Sequence, residues 1–202
     1  MFEKIVLGQT ILKFKTPIEI LDEINLVYQN KFNQLPDCNY RLVGKIKKEK
    51  SIYHTYQGKE HNFLSEKALD FFNNCFRFYV IESKQPIIDI KIITIWINEM
   101  HEHEYNPVHM HRSPTSKIGL SSVMFLKNPD TFGEEYSRKE LPYNGRLHFI
   151  GNTGGQFVTS DYFPKAEIGD VYVFPLDMKH CVYPFNSTKK GRRTLSANCG
   201  VY

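Results

Sequence analysis

Residues 87–98 read IIDIKIITIWIN, and this stretch decides the fold class. It is dense in β-branched side chains, which pack well on a pleated sheet and are restricted in a helix. It is also too apolar for an exposed edge, so the pattern predicts a buried strand. The character of the sequence changes at Pro86, immediately before this strand.

More short apolar runs follow this strand, and each is bounded by Gly, Pro, Asn or Asp. They predict strands over residues 118–126, 146–150, 156–158, 170–174, 181–183 and 193–202. Many short strands separated by turns are typical of a barrel or a jelly roll. Residues 86–202 are therefore expected to form a β core.

The first part of the chain, residues 1–85, is expected to be rich in helix. One helix is predicted to begin with Thr16 as N-cap and to run to about Asn30, because apolar residues recur there at helical spacing. A second helix is predicted to begin at Ser65 as N-cap and to run through Tyr79. Both helices are expected to pack outside the β core.

The composition fits one globular domain over residues 1–202, with a hydrophobic fraction of 41% that can form a core. The cysteines are scattered without C-x-x-C spacing, which is typical of reduced thiols in a cytoplasm. They are Cys38, Cys75, Cys181 and Cys199. No apolar run approaches the roughly 20 residues that span a bilayer, so we expect a soluble cytoplasmic protein without a membrane partner.

The net charge of +4 is mild, and much of the excess lies in residues 45–50 (KIKKEK) and 189–193 (KKGRR). The first run belongs to a polar segment, residues 34–51, that is predicted to be a loop. A basic face could attract an anionic metabolite or nucleic acid, but so small an excess more often serves solubility. The sequence gives no specific indication of nucleic-acid binding, and a homodimer is only the default expectation.

Two histidines two residues apart form the first candidate site. If residues 106–111 (NPVHMH) are extended, His109 and His111 point to the same side of the strand. Two imidazoles on one face are a ready pair of ligands for iron, copper, nickel or zinc. The alternative is that both are ordinary polar residues on a strand face.

A third histidine follows the apolar strand and proline turn of residues 169–175 (GDVYVFP). His180 stands at the start of the next predicted strand, about 70 residues after the first pair. A strand, a turn and one histidine in this order can bring a third ligand to a metal and leave three coordination positions open. A purely structural histidine in the turn is the alternative.

Residues 192–198 (RRTLSAN) form the third candidate site. By strand alternation Arg192 and Thr194 share one face, together with Ser196 and Asn198. A cationic stripe inside a barrel is costly to bury unless it meets an anion, and the guanidinium fork matches a carboxylate. The alternative is that Arg192 belongs to the basic surface loop that precedes it.

Taken in order, these motifs resemble the iron- and 2-oxoglutarate-dependent oxygenase superfamily. The closest resemblance is to oxygenases of tailed phages, particularly cyanophages, and it covers residues 96–201. Its best segments are residues 105–111, 119–126 and 169–198. The resemblance implies a mainly β protein with flanking helices (α+β), built on a double-stranded β-helix of the jelly-roll or cupin type.

The resemblance also implies the metal ligands. His109 corresponds to the first iron ligand and His180 to the distal histidine. The position two residues after the first ligand is usually Asp or Glu, and here it is His111. The phage-type proteins often carry histidine there, so His111 is kept as a ligand. The alternatives are that it only supports a ligand, or that water fills this coordination position.

For the co-substrate, the resemblance matches Arg192 to the basic residue that pairs with the distal carboxylate of 2-oxoglutarate. Thr194 stands where a hydroxyl commonly helps. Arg193 would replace Arg192 if the register slipped by one residue, and Asn98 is a weaker candidate for the same pocket.

The implied activity is that of a dioxygenase using Fe(II), 2-oxoglutarate and O2. It would couple decarboxylation of 2-oxoglutarate to succinate with oxidation, by default hydroxylation, of an unidentified substrate. Two alternatives remain: a three-histidine cupin-like dioxygenase that does not use 2-oxoglutarate, and a non-catalytic jelly-roll module. His101 and His103 (in HEHE) are expected in a solvated turn, His148 in a partly buried structural role.

Overall fold

A computed structural model describes residues 2–56, 59–85, 89–113, 115–133, 143–151, 154–156, 158–186 and 190–202. The helices are α1 (Ile18–Lys31) and α2 (Glu66–Glu82), with one 3-10 turn at Asn39–Arg41. The strands are β1 (Phe2–Leu7), β2 (Gln9–Lys15), β3 (Lys48–Tyr56), β4 (Lys59–Asn62), β5 (Ile90–Met100), β6 (Asn106–His109), β7 (Ile118–Lys127), β8 (Leu147–Ile150), β9 (Asp161–Tyr162), β10 (Asp170–Pro175), β11 (Lys179–Val182) and β12 (Arg192–Val201).

These strands form two antiparallel sheets. The larger sheet has eight strands in the order β1-β2-β10-β7-β12-β5-β3-β4, and the smaller has four in the order β6-β11-β8-β9. An aromatic-rich cluster packs between them, with Phe125 and Tyr172 from the large sheet against Phe149 from the small one. The fold is the expected double-stranded β-helix, mainly β with two flanking helices.

Both helices cover the outer face of the large sheet. Buried residues of α1 and α2, such as Ile24 and Phe72, share one core cluster with the outward side chains Ile95, Met124 and Leu195 of the large sheet. The opposite face of this sheet is thereby left to line the interior between the two sheets. None of the described helices is long and apolar enough to cross a bilayer.

The helix starts were predicted with mixed success. Ser65 is the N-cap of α2, and its hydroxyl accepts a hydrogen bond from Ala68 N at 3.2 Å, as expected. The N-cap of α1 is Pro17 rather than Thr16. Thr16 is still in the extended chain, and its backbone N–H donates to Gly169 O at 2.8 Å, which ties it to β10 instead of to the helix.

The first part of the chain contains more strand than the sequence indicated. β1 and β2 extend the large sheet at one end, and β3 and β4 extend it at the other. β3 begins inside the segment that was expected to be a loop, because its charged start is buried rather than solvated: Lys50 is 7% exposed and donates to Leu35 O. Its ammonium group also pairs with Asp37 at 2.8 Å.

The strands predicted in the second part of the chain are present with one exception. Gln156 and Val158 are not in a strand, and Phe157 between them lies outside the described residues, as do residues 87 and 88 at the start of the deciding stretch. The small sheet is completed instead by β9.

Candidate active site

Two of the predicted histidines face each other across the small sheet. His109 ends β6, and its cross-strand partner on β11 is His180. Their ring centroids lie 4.2 Å apart. His180 is buried, and His109 is partly exposed. The sheet register therefore juxtaposes residues that are 71 positions apart in the sequence.

His111 joins this pair just beyond the end of β6. Its backbone N–H donates to Leu176 O at 2.7 Å, which holds the chain against the end of β10. Its ring centroid lies 5.3 Å from that of His109 and 4.9 Å from that of His180. One ring nitrogen from each of the three histidines lies within 4.8 Å of the others, and within the described residues no carboxylate belongs to this cluster.

Each imidazole is oriented through its Nδ1 atom. His109 Nδ1 lies 2.7 Å from Pro107 O, and His180 Nδ1 lies 2.9 Å from Met178 O. His111 Nδ1 lies 3.0 Å from Asn198 Oδ1, with Ser121 Oγ at 2.9 Å. Because a carbonyl oxygen can only accept, each Nδ1 carries the proton and each Nε2 keeps a lone pair. Such anchoring of the second ring nitrogen is typical of metal-binding histidines.

The protein environment keeps these imidazoles neutral. Burial lowers the pKa of His111 to about 4 and lowers the pKa of His180 well below its ordinary range. Burial also lowers the pKa of His109. Neutral imidazole is the form that binds a metal ion. The donor set therefore fits a divalent transition metal on one face, as the predicted iron site requires.

Arg192 lies in the same cavity, which has a volume of about 770 Å³. The residue is 2% exposed, and its Nε and Nη2 atoms have no hydrogen-bond partner among the described residues. Its guanidinium carbon lies 5.2 Å from the centroid of the Phe125 ring. Burial lowers the pKa of Arg192 to about 10. Since a buried cation without an anion is costly, the site fits a carboxylate ligand at this end of the cavity. Thr194, 3% exposed, lines the same wall.

Arg193 points to the opposite side of the sheet. Its Nη2 and Nε atoms donate to Glu99 Oε2 at 2.7 and 2.9 Å, and its guanidinium carbon lies 4.2 Å from the centroid of the Tyr28 ring on α1. The guanidinium that faces the cavity therefore belongs to Arg192, and Arg193 does not line the cavity.

Asn98 also lines the cavity, but its amide is engaged by protein groups. With its oxygen and nitrogen oriented to satisfy both, it donates to Glu49 Oε2 at 2.6 Å and accepts from Trp96 Nε1 at 3.3 Å. The centroid of the Trp96 ring lies 5.7 Å from that of His111. Asn98 thus links a buried carboxyl group to the indole beside the histidine cluster.

Several cavity residues were not identified as site residues from the sequence. Asn198 was placed on the polar stripe of β12, but its contact with His111 depends on how the two sheets meet. The sequence around Ser121 and Glu49 does not indicate a functional site. Ser121 is a serine in an apolar strand, and Glu49 lies in a charged run that was predicted to be a loop.

The remaining histidines lie apart from the cluster. His148 is 9% exposed and contacts Asp161 Oδ1 at 2.6 Å, the structural role that was expected. His101 and His103 lie at a turn, although the neighbouring Glu104 is buried and accepts from His101 N at 2.8 Å. His54 is partly buried and lines the cavity.

Comparisons with known proteins agree with this geometry. Residues 94–198, just over half of the chain, match the model of the family described as "Putative 2OG-Fe(II) oxygenase". No curated protein sequence matches the chain.

Solved structures of low sequence identity share the fold. A Pseudomonas putida prolyl-4-hydroxylase is 13% identical, with 95% of this chain and 91% of that chain covered and a TM-score of 0.59. A Burkholderia pseudomallei oxidoreductase of the 2OG-Fe(II) oxygenase family is 15% identical, with 93% of each chain covered and a TM-score of 0.53. The collagen prolyl hydroxylase of Paramecium Bursaria Chlorella virus-1, solved with 2-oxoglutarate, is 12% identical, with 95% and 96% covered and a TM-score of 0.51.

At these identities the structural likeness establishes the fold, while the family model covers both the first histidine pair and the arginine strand. The chain belongs to the 2OG-Fe(II) oxygenase family and is a dioxygenase that uses Fe(II), 2-oxoglutarate and O2.

Proposed function

We propose that this dioxygenase is a hydroxylase in which His109, His111 and His180 hold the Fe(II) ion and Arg192 binds the distal carboxylate of 2-oxoglutarate. The observation that carries the proposal is the buried guanidinium of Arg192, whose Nε and Nη2 atoms lack partners among the described residues, in the cavity that also contains the three histidines. A three-histidine enzyme that did not use 2-oxoglutarate would leave this buried cation without a purpose.

The chemistry of the buried arginine supports a dicarboxylic co-substrate. The planar guanidinium presents two parallel N–H donors, which match the two oxygens of a carboxylate. The Thr194 hydroxyl lies on the same strand face and can donate a further hydrogen bond to the same group. Phe125 closes one side of the guanidinium, so the charge faces the cavity rather than water. Asn98 shapes this end of the cavity, with its amide committed to Glu49 and Trp96.

When bound, Fe(II) and 2-oxoglutarate supply the oxidising power by activating O2 as 2-oxoglutarate is decarboxylated to succinate. The residues of this chain contribute position and shelter. The three anchored imidazoles would hold the metal ion through their ring nitrogens. Arg192 fixes the far end of the co-substrate, which limits the orientations of its 2-oxo acid end. The burial of His180 and Arg192 limits the access of water to these two groups.

His111 occupies the position where the superfamily usually has a carboxylate. Three neutral imidazoles would not offset any of the charge of a divalent ion, whereas two histidines and a carboxylate would offset one unit. We infer that the dianionic co-substrate therefore contributes more to holding the metal here, so binding of Fe(II) and of 2-oxoglutarate should be strongly cooperative.

Four wider expectations belong to the same proposal. The motif order resembles oxygenases of tailed phages, and we propose this grouping for the chain. Four buried cysteines without disulfides support a reducing compartment such as a host cytoplasm. The shared interior of the two sheets supports one domain over residues 1–202, and a homodimer remains the default expectation for its assembly.

The test is an anaerobic titration of the Fe(II)-loaded protein with 2-oxoglutarate, followed by the weak visible charge-transfer band of the chelate. We expect the band in the unmodified protein, its loss in His180→Ala, and a much higher 2-oxoglutarate requirement in Arg192→Ala. His61→Ala and Arg77→Ala serve as matched controls, because both residues are exposed and lie outside the cavity.

Each other outcome has a distinct meaning. Tight Fe(II) binding without the band would favour the three-histidine dioxygenase that does not use 2-oxoglutarate. An unchanged 2-oxoglutarate requirement in Arg192→Ala would move the carboxylate site elsewhere. The hydroxylase assignment itself is tested afterwards by mass spectrometry of the oxidised substrate, where a gain of one oxygen atom is expected.

A further inference from the structure

The cavity extends well beyond the groups that the co-substrate and the metal require. Besides the histidine cluster and Arg192, its described lining includes Arg41, Val43, His54, Thr94, Trp96 and Arg112. We call these six residues the side lobe. They come from the 3-10 turn and the residues just after it, from β3 and β5, and from the chain after His111. They are therefore distinct from the β12 wall that carries Arg192 and Thr194.

The strand register shows where the side lobe begins. On β12, Asn198 holds the His111 ring, and its cross-strand partner on β5 is Thr94. The partner of Thr94 on β3 is His54. Since neighbouring strands are about 4.8 Å apart, the lobe starts beside the histidine cluster and runs sideways for about two strand spacings. A molecule in the lobe could place an atom close to the metal without displacing the co-substrate from Arg192.

The charges that line the side lobe are predominantly positive. Arg41 and Arg112 are exposed at the mouth, and in the described part of the chain neither forms an ion pair with a carboxylate. Glu49 is the one described acidic residue in the cavity lining, and its carboxyl group accepts from the Asn98 amide. Burial raises the pKa of Glu49 to about 7, so its negative charge is incomplete near neutral pH.

The influence of Arg41 reaches into the lobe. Burial is the largest effect on the pKa of Glu49, which it raises, and on the pKa of His54, which it lowers. The positive charge of Arg41 lowers both pKa values. Its guanidinium carbon lies 5.2 Å from the centroid of the Tyr40 ring, which steadies the side chain at the mouth. An arginine that lies against a ring keeps N–H donors at the edge of its guanidinium, where they can bind an anion.

We propose that the side lobe is the substrate site and that it selects a substrate bearing a carboxylate or phosphate group, which Arg41 and Arg112 bind at the mouth. This inference rests on the proposed function, because it places the carbon to be oxidised beside the histidine cluster. The two ends of the cavity then bind different anions. Arg192 binds the co-substrate, and Arg41 and Arg112 bind the substrate.

The test uses the Mn(II)-loaded protein under anaerobic conditions with saturating 2-oxoglutarate, so that Arg192 is occupied and no turnover occurs. Phenyl phosphate and benzoate serve as small anionic probes, and benzyl alcohol is their neutral counterpart. The peptide acetyl-Glu-Ala-Glu-amide and its Gln-Ala-Gln counterpart separate an acidic peptide from a free small anion. Binding is measured by isothermal titration calorimetry.

We expect at least one anionic probe to bind about tenfold more tightly than its neutral counterpart. Arg41→Ala and Arg112→Ala should each weaken that probe about fivefold or more, while Arg77→Ala should not. The affinity for 2-oxoglutarate should stay within about twofold in all three variants, because none of them contacts Arg192.

Equal binding of anionic and neutral probes, or no loss in the two mouth variants, would overturn the inference. So would the absence of anionic binding at about 10 mM, which is weaker than a specific charge pair should allow. The charge-transfer titration separates failure of this inference from failure of the proposed function. If the 2-oxoglutarate band is intact but the probes show no selectivity for anions, only the anionic substrate class is wrong. If no band forms in the unmodified protein, the proposed function itself is wrong.

Discussion

Arg192 and Arg193 are consecutive on β12, yet their guanidinium groups lie on opposite faces of the large sheet and meet opposite electrostatic conditions. The Arg192 group faces the cavity, with Nε and Nη2 unpartnered among the described residues. The Arg193 group is paired with Glu99 beneath α1. Arg193 therefore stabilises the fold through its ion pair, whereas Arg192 is available to bind a ligand. Substitutions of the two arginines should have different effects.

Arg193→Ala should strongly destabilise the protein. It would leave the buried Glu99 carboxylate without its main partner, and breaking a buried ion pair in this way typically costs about 3–5 kcal/mol of the free energy of unfolding. Urea denaturation of the metal-free protein is the measurement. Because Lys127 lies 3.6 Å from Glu99 and can compensate in part, a loss near the lower limit is expected. A loss below about 1 kcal/mol would mean that the pair is not buried in solution.

Arg192→Ala should leave the metal-free protein as stable as before or slightly more stable, because it removes a buried cation whose Nε and Nη2 atoms have no partner among the described residues. Its effect should appear only with the co-substrate. At a concentration of 100 times its Kd, 2-oxoglutarate should stabilise the metal-loaded unmodified protein by about 2.7 kcal/mol. Most of this stabilisation should be lost in Arg192→Ala. Thermal unfolding with and without 2-oxoglutarate measures both effects, and a large loss in the metal-free variant would contradict the expectation.

Asn198→Ala should weaken metal binding although Asn198 is not expected to touch the metal. Its Oδ1 atom accepts the Nδ1 proton of His111 and thereby orients the ring. Removal of such partners usually lowers metal affinity by about 10–100-fold. Competition with a fluorescent chelator gives the affinity. Ser196→Ala, on the same strand face, is the matched control, and equal affinities in the two variants would show that the contact is dispensable.

Trp96 should report directly on metal occupancy. Its ring centroid lies 5.7 Å from that of His111, and the chain has no other tryptophan. Paramagnetic Co(II) or Ni(II) bound at the histidine cluster should therefore quench most of the tryptophan emission. His111→Ala should remove the quenching at concentrations that saturate the unmodified protein. Persistent quenching in that variant would mean that the metal binds elsewhere.

Glu49 gives a prediction of pH dependence. Burial raises its pKa from 4.5 to about 7, so the folded protein binds a proton more tightly than the unfolded chain does. Stability from this group is fully present below pH 4.5 and is lost as the pH rises through about 7, by an amount on the order of 3 kcal/mol. Glu49→Gln should therefore exceed the unmodified protein in stability at pH 8 and lose that advantage near pH 4.

The three histidines act in the opposite direction, since their depressed pKa values cost stability as the pH falls from 6.5 toward 4. The histidines contribute equally to the free energies of unfolding of Glu49→Gln and of the unmodified protein, so their contribution cancels in the difference between the two. Urea denaturation between pH 4 and pH 8 measures this difference in free energy. A difference that does not vary with pH would contradict the raised pKa of Glu49.

Much of this molecule could be predicted from local patterns. The β-branched stretch around Ile95, the serine cap of α2 and the alternation along β12 are each set by neighbouring residues in the chain. The clustering of the three histidines could be predicted because alternation places His109 and His111 on one side, and because motif order indicated His180 as the third member.

The remaining features depend on contacts that local patterns do not contain. Lys50 and Glu49 looked like a solvated charge run, and only the positions of Leu35, Asp37 and Asn98 make their burial possible. The role of Asn198 depends on its distance from His111, which is set by how the two sheets close. The choice between Arg192 and Arg193 depended on which face of β12 meets α1.

The three imidazoles held through Nδ1 also have a consequence for metal choice. A rigid set of neutral nitrogen donors follows the Irving–Williams order, in which Cu(II), Ni(II) and Zn(II) bind more tightly than Fe(II). Since no carboxylate among the described residues joins the cluster to favour a harder ion, the site should be open to mismetallation. The identity of the bound metal would then follow from which ion is available when the chain folds, and protein purified in air should carry zinc or nickel until it is stripped and reloaded.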